Sequence, residues 1–460
     1  MTREVARQPY TPVDVVALLA LYAGSAAINL LSVRAVSPSL VLMGEEMSVS
    51  IRDVLFSINE HAQASVWSTN FGAPVYYWVA GHLDPSYSLF SARRWKAMAM
   101  ALAPPVAYVA ATRRLDCERV AGVLAGAAAA LLPGVAMYGW LATENGLEVV
   151  AGSVGLLLAT SGRRPWPAAL LLAGVAVTTY TSGVAWALAI VVVCAVRALR
   201  SSRREVVATS LALVGAIVIV VFPRLWWTSG PRRLVAGGGA FDGDVVHNAA
   251  NLVRQLAMNG SSYYFFGQQP AWGSPVLAGV IAASTVAALI VRPRVMWPWL
   301  IVAGVTVALW LPAGNVPGVR RAIALSMVAA LVVAVTVDEG AKRIRARWRP
   351  VMLAGVAELL LVPLVVSLVG WQNSYLSGRQ RLVADFAIAP GPMPATFARW
   401  ESDLRSGRLT AQEMVVRYDG LRTLAVIWML ADRQGRDTTG LPTPAQIVAL
   451  IVPDAAHAKG

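Results

Sequence analysis

Two adjacent acidic residues, Glu45 and Glu46, are the residues of this sequence best placed for acid–base chemistry. They follow the first long apolar segment, and apolar positions in residues 51–58 then recur at the spacing of an amphipathic helix lying at a membrane surface. A carboxylate in such a loop either stays hydrated or takes a proton from a hydroxyl group. The pair is therefore a candidate for chemistry at the membrane surface, with hydration of the loop as the alternative.

Basic residues gather at two other segment ends. Arg93, Arg94 and Lys96 stand at the start of the second apolar segment, and Arg320 and Arg321 at the start of the tenth. Such side chains either extend to the membrane interface or hold a phosphate, to which guanidinium groups donate paired hydrogen bonds. The sequence predicts a phosphate cradle from these five residues, with interfacial positioning as the alternative.

A second acidic pair, Glu144 and Glu148, lies between the third and fourth apolar segments. Their spacing puts both carboxylates on one face if the fourth helix starts early. Hydration at a helix mouth would account for both, but a carboxylate entering a span is usually functional, which favours Glu148. An aromatic cluster in the first loop, Tyr76 to Trp78, follows a turn and is placed to anchor that loop at the interface.

Helices must position these residues, because the chain is 57% hydrophobic and only 14% charged, with a mean hydropathy of +0.58. A helix of about 20 apolar residues crosses the hydrocarbon core of a bilayer. Eleven candidate spans cover residues 13–32, 95–111, 120–138, 147–160, 166–181, 183–196, 206–222, 273–291, 295–311, 320–337 and 351–370. We expect an all-α polytopic membrane protein with about 11 transmembrane helices. The membrane domain would be residues 1–370, and a small helical tail would be residues 371–460.

The distribution of basic residues predicts the orientation. With a cytoplasmic N-terminus, the short cytoplasmic loops hold eighteen of the 39 lysines and arginines. This places residues 33–94, residues 223–272 and the tail outside, and the first apolar segment is expected to remain as a helix because it lacks the usual cleavage site.

The net charge and the cysteine and histidine content argue against nucleic-acid binding and against a metal site made of these residue types. The net charge of +14 comes from short clusters between apolar segments, so nucleic acid is not expected as a partner. Cys117 and Cys194 are far apart and the four histidines lack ligand spacing, so no metal site is encoded by these residue types.

Seven short motifs follow one another along the first three quarters of the chain. They are Gly44–Met47, Gly72–Trp78, Ala92–Lys96, Thr112–Leu115, Pro133–Glu148, Ala173–Ser182 and Gly318–Ala322. Their order resembles the GT-C superfamily of membrane glycosyltransferases, particularly the branch with protein O-mannosyltransferases and the aminoarabinose transferases of lipid A. The sequence departs from that branch at Glu45, where an aspartate is customary.

The resemblance implies a glycosyltransferase of the bacterial inner (plasma) membrane, working at the outer face. A polyprenyl-phosphate sugar would be the donor, and a hydroxyl of a glycan, lipid or protein would attack it with inversion. The resemblance implies three residue roles: a base, contacts to the sugar or acceptor, and a donor-phosphate site. The base would be Glu45 or Glu46. The contact residues would be Tyr76, Tyr77, Trp78, Glu144 and Glu148. The phosphate site would be Arg93, Arg94, Lys96, Arg320 and Arg321. A divalent cation is left open, because members of the superfamily differ.

Three other functions compete with this one. A transporter or flippase for lipid-linked sugars would show inverted repeats with broken helices, which the sequence lacks. An O-antigen ligase or polymerase would carry its long outer loop late in the chain, whereas the acidic loop here is the first. A non-catalytic assembly subunit is the third alternative.

Overall fold

The structure is a computed structural model that describes most of the helical part of the chain. It describes residues 10–34, 89–141, 146–161, 166–179, 182–199, 203–227, 245–258, 270–311, 323–386 and 395–418, with short stretches between 427 and 446. Within these ranges regular structure is helical and strands are absent.

Sixteen helices are numbered here in chain order. The first eight are α1 (Pro12–Arg34), α2 (Leu89–Met100), α3 (Ala103–Arg113), α4 (Arg119–Leu131), α5 (Pro133–Tyr138), α6 (Leu147–Ala159), α7 (Trp166–Thr179) and α8 (Gly183–Ala198). The others are α9 (Arg203–Trp227), α10 (Val245–Ala257), α11 (Pro275–Val291), α12 (Pro293–Trp310), α13 (Ile323–Arg343), α14 (Arg349–Phe386), α15 (Ala395–Arg405) and α16 (Ala411–Tyr418). A single 3-10 turn, Ala346–Trp348, precedes α14.

Each of the eleven predicted spans corresponds to one helix or to two consecutive ones. The second span is α2 with α3 and the third is α4 with α5; in both cases the new helix has proline in its first turn, where its missing N–H costs nothing. Three described helices are both long and apolar enough to cross a bilayer: Pro12–Arg34, Ile323–Arg343 and Ala346–Gly370. Shorter apolar helices make up most of the rest. The all-helical polytopic architecture is confirmed, and the chain is an integral membrane protein.

Several of the spans are short, among them α7 and α8. Helices α7 and α8 have 14 and 16 residues, which corresponds to roughly 21 and 24 Å against a hydrocarbon core of ~30 Å. They pack closely, because a Cβ at Gly183 would come within 2.0 Å of the Ala176 carbonyl oxygen.

Helix α13 lies at the centre of the bundle. Every residue from Ile323 to Val335 is buried. All sides of this part of the helix contact protein, which is why its sequence is apolar on all sides. Helix α14 contrasts with it, since Leu359 and Val366 are 76% and 65% exposed. Exposed apolar side chains of that kind form the lipid-facing surface of a membrane protein.

Charged residues join the helices at the end of the bundle where α1 begins, which we call the basic end. Asp14 accepts a hydrogen bond from the Tyr108 hydroxyl at 2.6 Å and pairs with Arg119 at 3.0 Å and Arg113 at 3.3 Å. Its other partner is the Thr11 backbone N–H at 2.8 Å, which caps α1. One buried carboxylate thus fastens α1 to α3 and α4.

A second ionic cluster at the basic end involves α13. Arg292 donates to Asp338 and to Glu339, each at 2.7 Å, and Asp338 also pairs with Lys342 at 2.6 Å. The backbone N–H of Glu118 donates to Asp338 as well, at 2.7 Å. Several of the basic residues that predict orientation are therefore also structural ion-pair partners.

The expected boundary between the membrane domain and the tail, at residue 370, does not coincide with the end of a helix. Helix α14 continues to Phe386, so the expected boundary at residue 370 falls inside a helix. In the described part of the tail, Glu401 is buried and pairs with Arg405 at 2.8 Å and Arg436 at 2.7 Å. The pair with Arg436 holds α15 to a segment more than 30 residues later in the chain.

Candidate functional site

A buried carboxylate, Glu148, lies in the first turn of α6 at the end of the bundle opposite the basic end. Its Oε2 accepts a hydrogen bond from the Gly146 backbone N–H at 2.7 Å, and its Oε1 accepts one from the Ser182 hydroxyl at 2.7 Å. A carboxylate at a helix N-terminus is favoured by the helix dipole. The side chain is therefore held in one orientation by groups from two segments.

The chain enters α6 through a glycine. Gly146 has φ of +97°, a left-handed conformation that residues with a Cβ rarely adopt. A Cβ at this position would also lie 3.1 Å from Met100 and 3.3 Å from Tyr138. The turn that presents the Gly146 N–H to Glu148 thus requires glycine both for its backbone conformation and for the space around it.

Ser182 reaches Glu148 because α6 and α8 run parallel in a fixed register. One turn below this hydrogen bond, a Cβ on Gly152 would lie 2.2 Å from Cγ of Trp186. Ser182 precedes Trp186 by four residues, as Glu148 precedes Gly152. The small residue on α6 and the large one on α8 therefore set the distance between the two polar groups above them.

Two buried cations on α2 complete the described part of the site. Arg93 and Lys96 are 0% and 1% exposed and lie one turn apart on one face of α2. The positive charge of Lys96 acts on the Glu148 carboxylate. Arg94 is exposed, so the structure separates it from the two cations with which it was grouped.

Helix α2 is held in place by α1. The amide of Asn29 donates to the Ala97 carbonyl at 3.3 Å, and Asn29 is itself buried. The oxygen of that amide lies so close to Gly139 that a Cβ there would come within 2.7 Å of it. Through this contact α1, α2 and the end of α5 converge beside the charged residues.

Aromatic side chains lie next to the charged group. Tyr138 and Trp140 are both buried, and the indole N–H of Trp140 has no acceptor among the described residues. Deeper in the bundle, the rings of Trp186 and Trp299 meet edge to face with centroids 6.2 Å apart. The Trp186 ring packs against Gly152, one turn below Glu148, and so lies beneath the charged group.

Most of the sequence-predicted site residues lie outside the described residues. These are Glu45, Glu46, Tyr76, Tyr77, Trp78, Glu144, Arg320 and Arg321, together with the expected amphipathic helix of the first outer loop. The structure brings together Lys96 and Glu148, with Arg93 one turn away. Ser182 had no predicted role; it closes the motif Ala173–Ser182, and its position directly before an apolar helix was the only signal.

The described residues contain no group of three histidine, cysteine, aspartate or glutamate side chains that would hold a metal ion. Their chemistry is that of two cations beside one fixed carboxylate, at the mouth of an apolar bundle. Cations of this kind hold a phosphate, and a carboxylate of this kind orients an ammonium or accepts a hydroxyl hydrogen.

Comparisons with known proteins show a likeness to solved structures. No family model matches the chain, and no curated protein matches its sequence. Among solved structures, the chain is similar to ArnT from Cupriavidus metallidurans in the apo state, with a TM-score of 0.48 and 16% identity over 95% of this chain and 75% of that one. It is likewise similar to the same protein bound to undecaprenyl phosphate, with a TM-score of 0.47 and 15% identity over 94% of this chain and 75% of that one.

Proposed function

We propose that this protein is an inverting glycosyltransferase that moves a sugar from a polyprenyl-phosphate donor to an acceptor hydroxyl. The single observation that carries the proposal is the burial of Arg93 and Lys96 beside Glu148 at one end of a membrane bundle. Charged groups are expensive within a membrane domain and are kept there for function. The order of the sequence motifs, which resembles the GT-C superfamily, supports the same function.

The donor phosphate is proposed to bind to Arg93 and Lys96. Arg320 and Arg321, which open the tenth predicted span, are proposed to complete that binding site. The prenyl chain would lie against the apolar helices. A phosphate is a good leaving group whose main requirement is charge stabilisation, which preorganised cations supply.

The reaction itself then needs only one base. The acceptor oxygen forms a bond to the anomeric carbon as the bond from that carbon to the phosphate oxygen breaks, and the hydroxyl proton passes to Glu45 or Glu46. The phosphate leaves with the bonding electron pair and remains as polyprenyl phosphate. This differs from glycoside hydrolysis, which normally uses a pair of carboxylates.

We assign Glu148 the task of positioning Lys96 and the sugar or acceptor. Its two oxygens are held by Gly146 and Ser182, so the position of the carboxylate is independent of substrate. Tyr76, Tyr77, Trp78 and Glu144 are proposed to contact the sugar or the acceptor. The site would face the outside of the cell and the basic end the cytoplasm, in accord with the distribution of arginines.

The test is a transfer assay with the full chain in liposomes and a radiolabelled polyprenyl-phosphate sugar. Wild-type protein is expected to release polyprenyl phosphate and to label an acceptor. Lys96→Gln should lose at least about a hundredfold in kcat/KM, since it removes a charge-assisted contact to the leaving group, whereas the exposed Arg94→Gln should lose far less. Movement of intact donor across the bilayer without cleavage would instead identify a transporter and contradict the proposal.

The base is tested separately with Glu45→Gln and Glu46→Gln. Loss of transfer in one of the two, with donor binding retained, identifies the base. Full activity in both would exclude this pair as the source of the base.

A further inference from the structure

A groove of about 180 Å³ lies between α11 and α13 near the basic end, far from Glu148. It is lined by Ala287, Ala288, Val291, Val335, Thr336, Glu339, Gly340 and Arg343. The nine residues from Val335 to Arg343 extend about 12 Å along α13, so the groove runs from the bundle end toward the middle of the bilayer. Its lining is apolar except for Thr336 and for Glu339 and Arg343 near its mouth.

The charge at the mouth of the groove is positive. Arg343 is exposed and makes no ion pair within the part of the chain that the structure describes. The adjacent Lys342 is paired with Asp338 at 2.6 Å, and Glu339 accepts from Arg292 at 2.7 Å. Because the nearby carboxylates are already neutralised, Arg343 presents its charge outward, over the open end of the groove.

The surroundings of the groove lie at the level of lipid headgroups. On α11 the apolar Ile290 and Val291 are 75% and 36% exposed, as expected of side chains that contact lipid. Just beyond α13, Trp348 is 54% exposed and lies under the Arg347 guanidinium, with 5.6 Å between that group and the ring centroid. Tryptophan and arginine at a helix end mark the interface between hydrocarbon and water.

We propose that this groove is a binding site for an anionic phospholipid, with the lipid phosphate on Arg343 and the first part of an acyl chain between α11 and α13. An anionic lipid is favoured over a zwitterionic one because the described carboxylate at the mouth, Glu339, is already paired with Arg292 and does not attract an amine. Basic pockets between transmembrane helices on the cytoplasmic side bind such headgroups. This site is independent of the proposed transferase site, which lies at the opposite end of the bundle.

The groove can be filled without disturbing the bundle. A Cβ added at Gly340 would meet no atom within 4 Å, so Gly340→Leu places its side chain in the groove itself. Gly279 on α11 has the same open surroundings but lies outside the groove, and Gly279→Leu is therefore the matched control. For the charge, Arg343→Gln is matched by Arg204→Gln, an exposed arginine in the first turn of α9.

The experiment is native mass spectrometry of the full-length protein in detergent, titrated with phosphatidylglycerol or phosphatidylcholine. Wild-type protein should retain phosphatidylglycerol in preference to phosphatidylcholine. Arg343→Gln should weaken phosphatidylglycerol binding about fivefold, the value expected for one basic residue at a lipid surface. Gly340→Leu should weaken it at least as much, and both controls should bind as the wild type does.

Three results would overturn the proposal. They are equal retention of the two lipids, an equal effect of Arg204→Gln and Arg343→Gln, and wild-type binding by Gly340→Leu. Thermal unfolding of the lipid-free variants verifies that each is folded. If Gly340→Leu fails that check, Ala287→Leu fills the same groove from α11, and wild-type binding by that variant would overturn the proposal equally.

Discussion

A buried carboxylate such as that of Glu148 has lost the water that would solvate its charge, and hydrogen bonds and a cation replace part of that solvation. Gly146 and Ser182 supply the hydrogen bonds and Lys96 supplies the charge. Removing one of these partners leaves the others in place, so each can be tested by a single substitution.

We expect Ser182→Ala to reduce sugar transfer about tenfold or more, because a hydrogen bond to a charged group contributes about 1.5–3 kcal/mol. The loss should fall on kcat more than on KM for the acceptor if Glu148 is then misplaced. Ser182→Thr should recover part of the activity, since it restores the hydroxyl. The control is Thr160→Ala, whose hydroxyl donates to carbonyls of α6 within the described residues. Equal activity of Ser182→Ala and wild type would contradict the positioning role.

Cys117, in the loop between α3 and α4, is expected to be unreactive in the folded protein. Burial, followed by the negative charge of Asp338, raises the pKa of its thiol to about 12, against about 8.5 for a free cysteine. The folded state therefore keeps a proton that the unfolded state loses between these values. The contribution of this group to stability is fully present below about pH 8.5 and is lost as the pH rises toward 12.

The measurement is the rate of maleimide labelling at pH 8.5 in a Cys194→Ala protein, where Cys117 is the remaining thiol. Labelling of the folded protein should be at least about a hundredfold slower than in denaturant, because only the thiolate reacts. Similar rates in the two conditions would show that the thiol is accessible and ionised in the fold.

At the scale of helices, the position of Ser182 depends on a glycine and a tryptophan one turn away. Gly152 and Trp186 fix how closely α6 and α8 approach, and close approach through small residues is the usual way that membrane helices pack. Leu147 to Ala159 and Gly183 to Ala198 thus act as one unit in presenting the polar groups at their ends.

Gly152→Leu is expected to destabilise this pair of helices by about 1–3 kcal/mol, the usual cost of overpacking. The new side chain would have to displace Trp186, whose Cγ is 2.2 Å from the ideal Cβ position. The measurement is the thermal unfolding midpoint in detergent, with Gly304→Leu as the control because a Cβ there meets nothing within 4 Å. An unchanged midpoint for Gly152→Leu would mean that Trp186 moves at no cost.

At the scale of the whole molecule, the two ends of the bundle differ in character. The basic end carries paired carboxylates and arginines that join α1, α3, α4 and α13, whereas the opposite end carries the buried cations beside Glu148. Such an asymmetry predicts a unique orientation in the membrane.

The orientation can be measured with single cysteines in a protein lacking Cys117 and Cys194. Leu199, which follows α8 at the basic end, is 86% exposed, and Val246 on α10 is 81% exposed. A membrane-impermeant maleimide should label Val246→Cys in intact cells and Leu199→Cys only after permeabilisation. The reverse pattern would place the proposed site in the cytoplasm and contradict a donor bound from the outer face.

How far the site was predictable differs from residue to residue. Arg93, Lys96 and Glu148 could be selected from the sequence because basic residues at the outer end of a span oppose the usual charge bias, and a carboxylate that enters a span is rare. Arg94 has the same sequence context as Arg93, and only the rotation of α2 about its axis distinguishes the buried side chain from the exposed one. Ser182 could not be selected, because a serine before a helix usually serves as a cap.

The sequence by itself determined the all-helical membrane architecture and the approximate position of every span, because hydrocarbon requires each crossing segment to satisfy its own backbone hydrogen bonds. Only the tertiary structure decided which charges meet. The pairing of Asp14 with Arg119, of Asp338 with Arg292, and the approach of Ser182 to Glu148 join residues 34 to 105 positions apart. Contacts at such separations depend on how helices pack, and packing is set by side-chain shapes such as those of Gly152 and Trp186, which carry no signal in a hydropathy pattern.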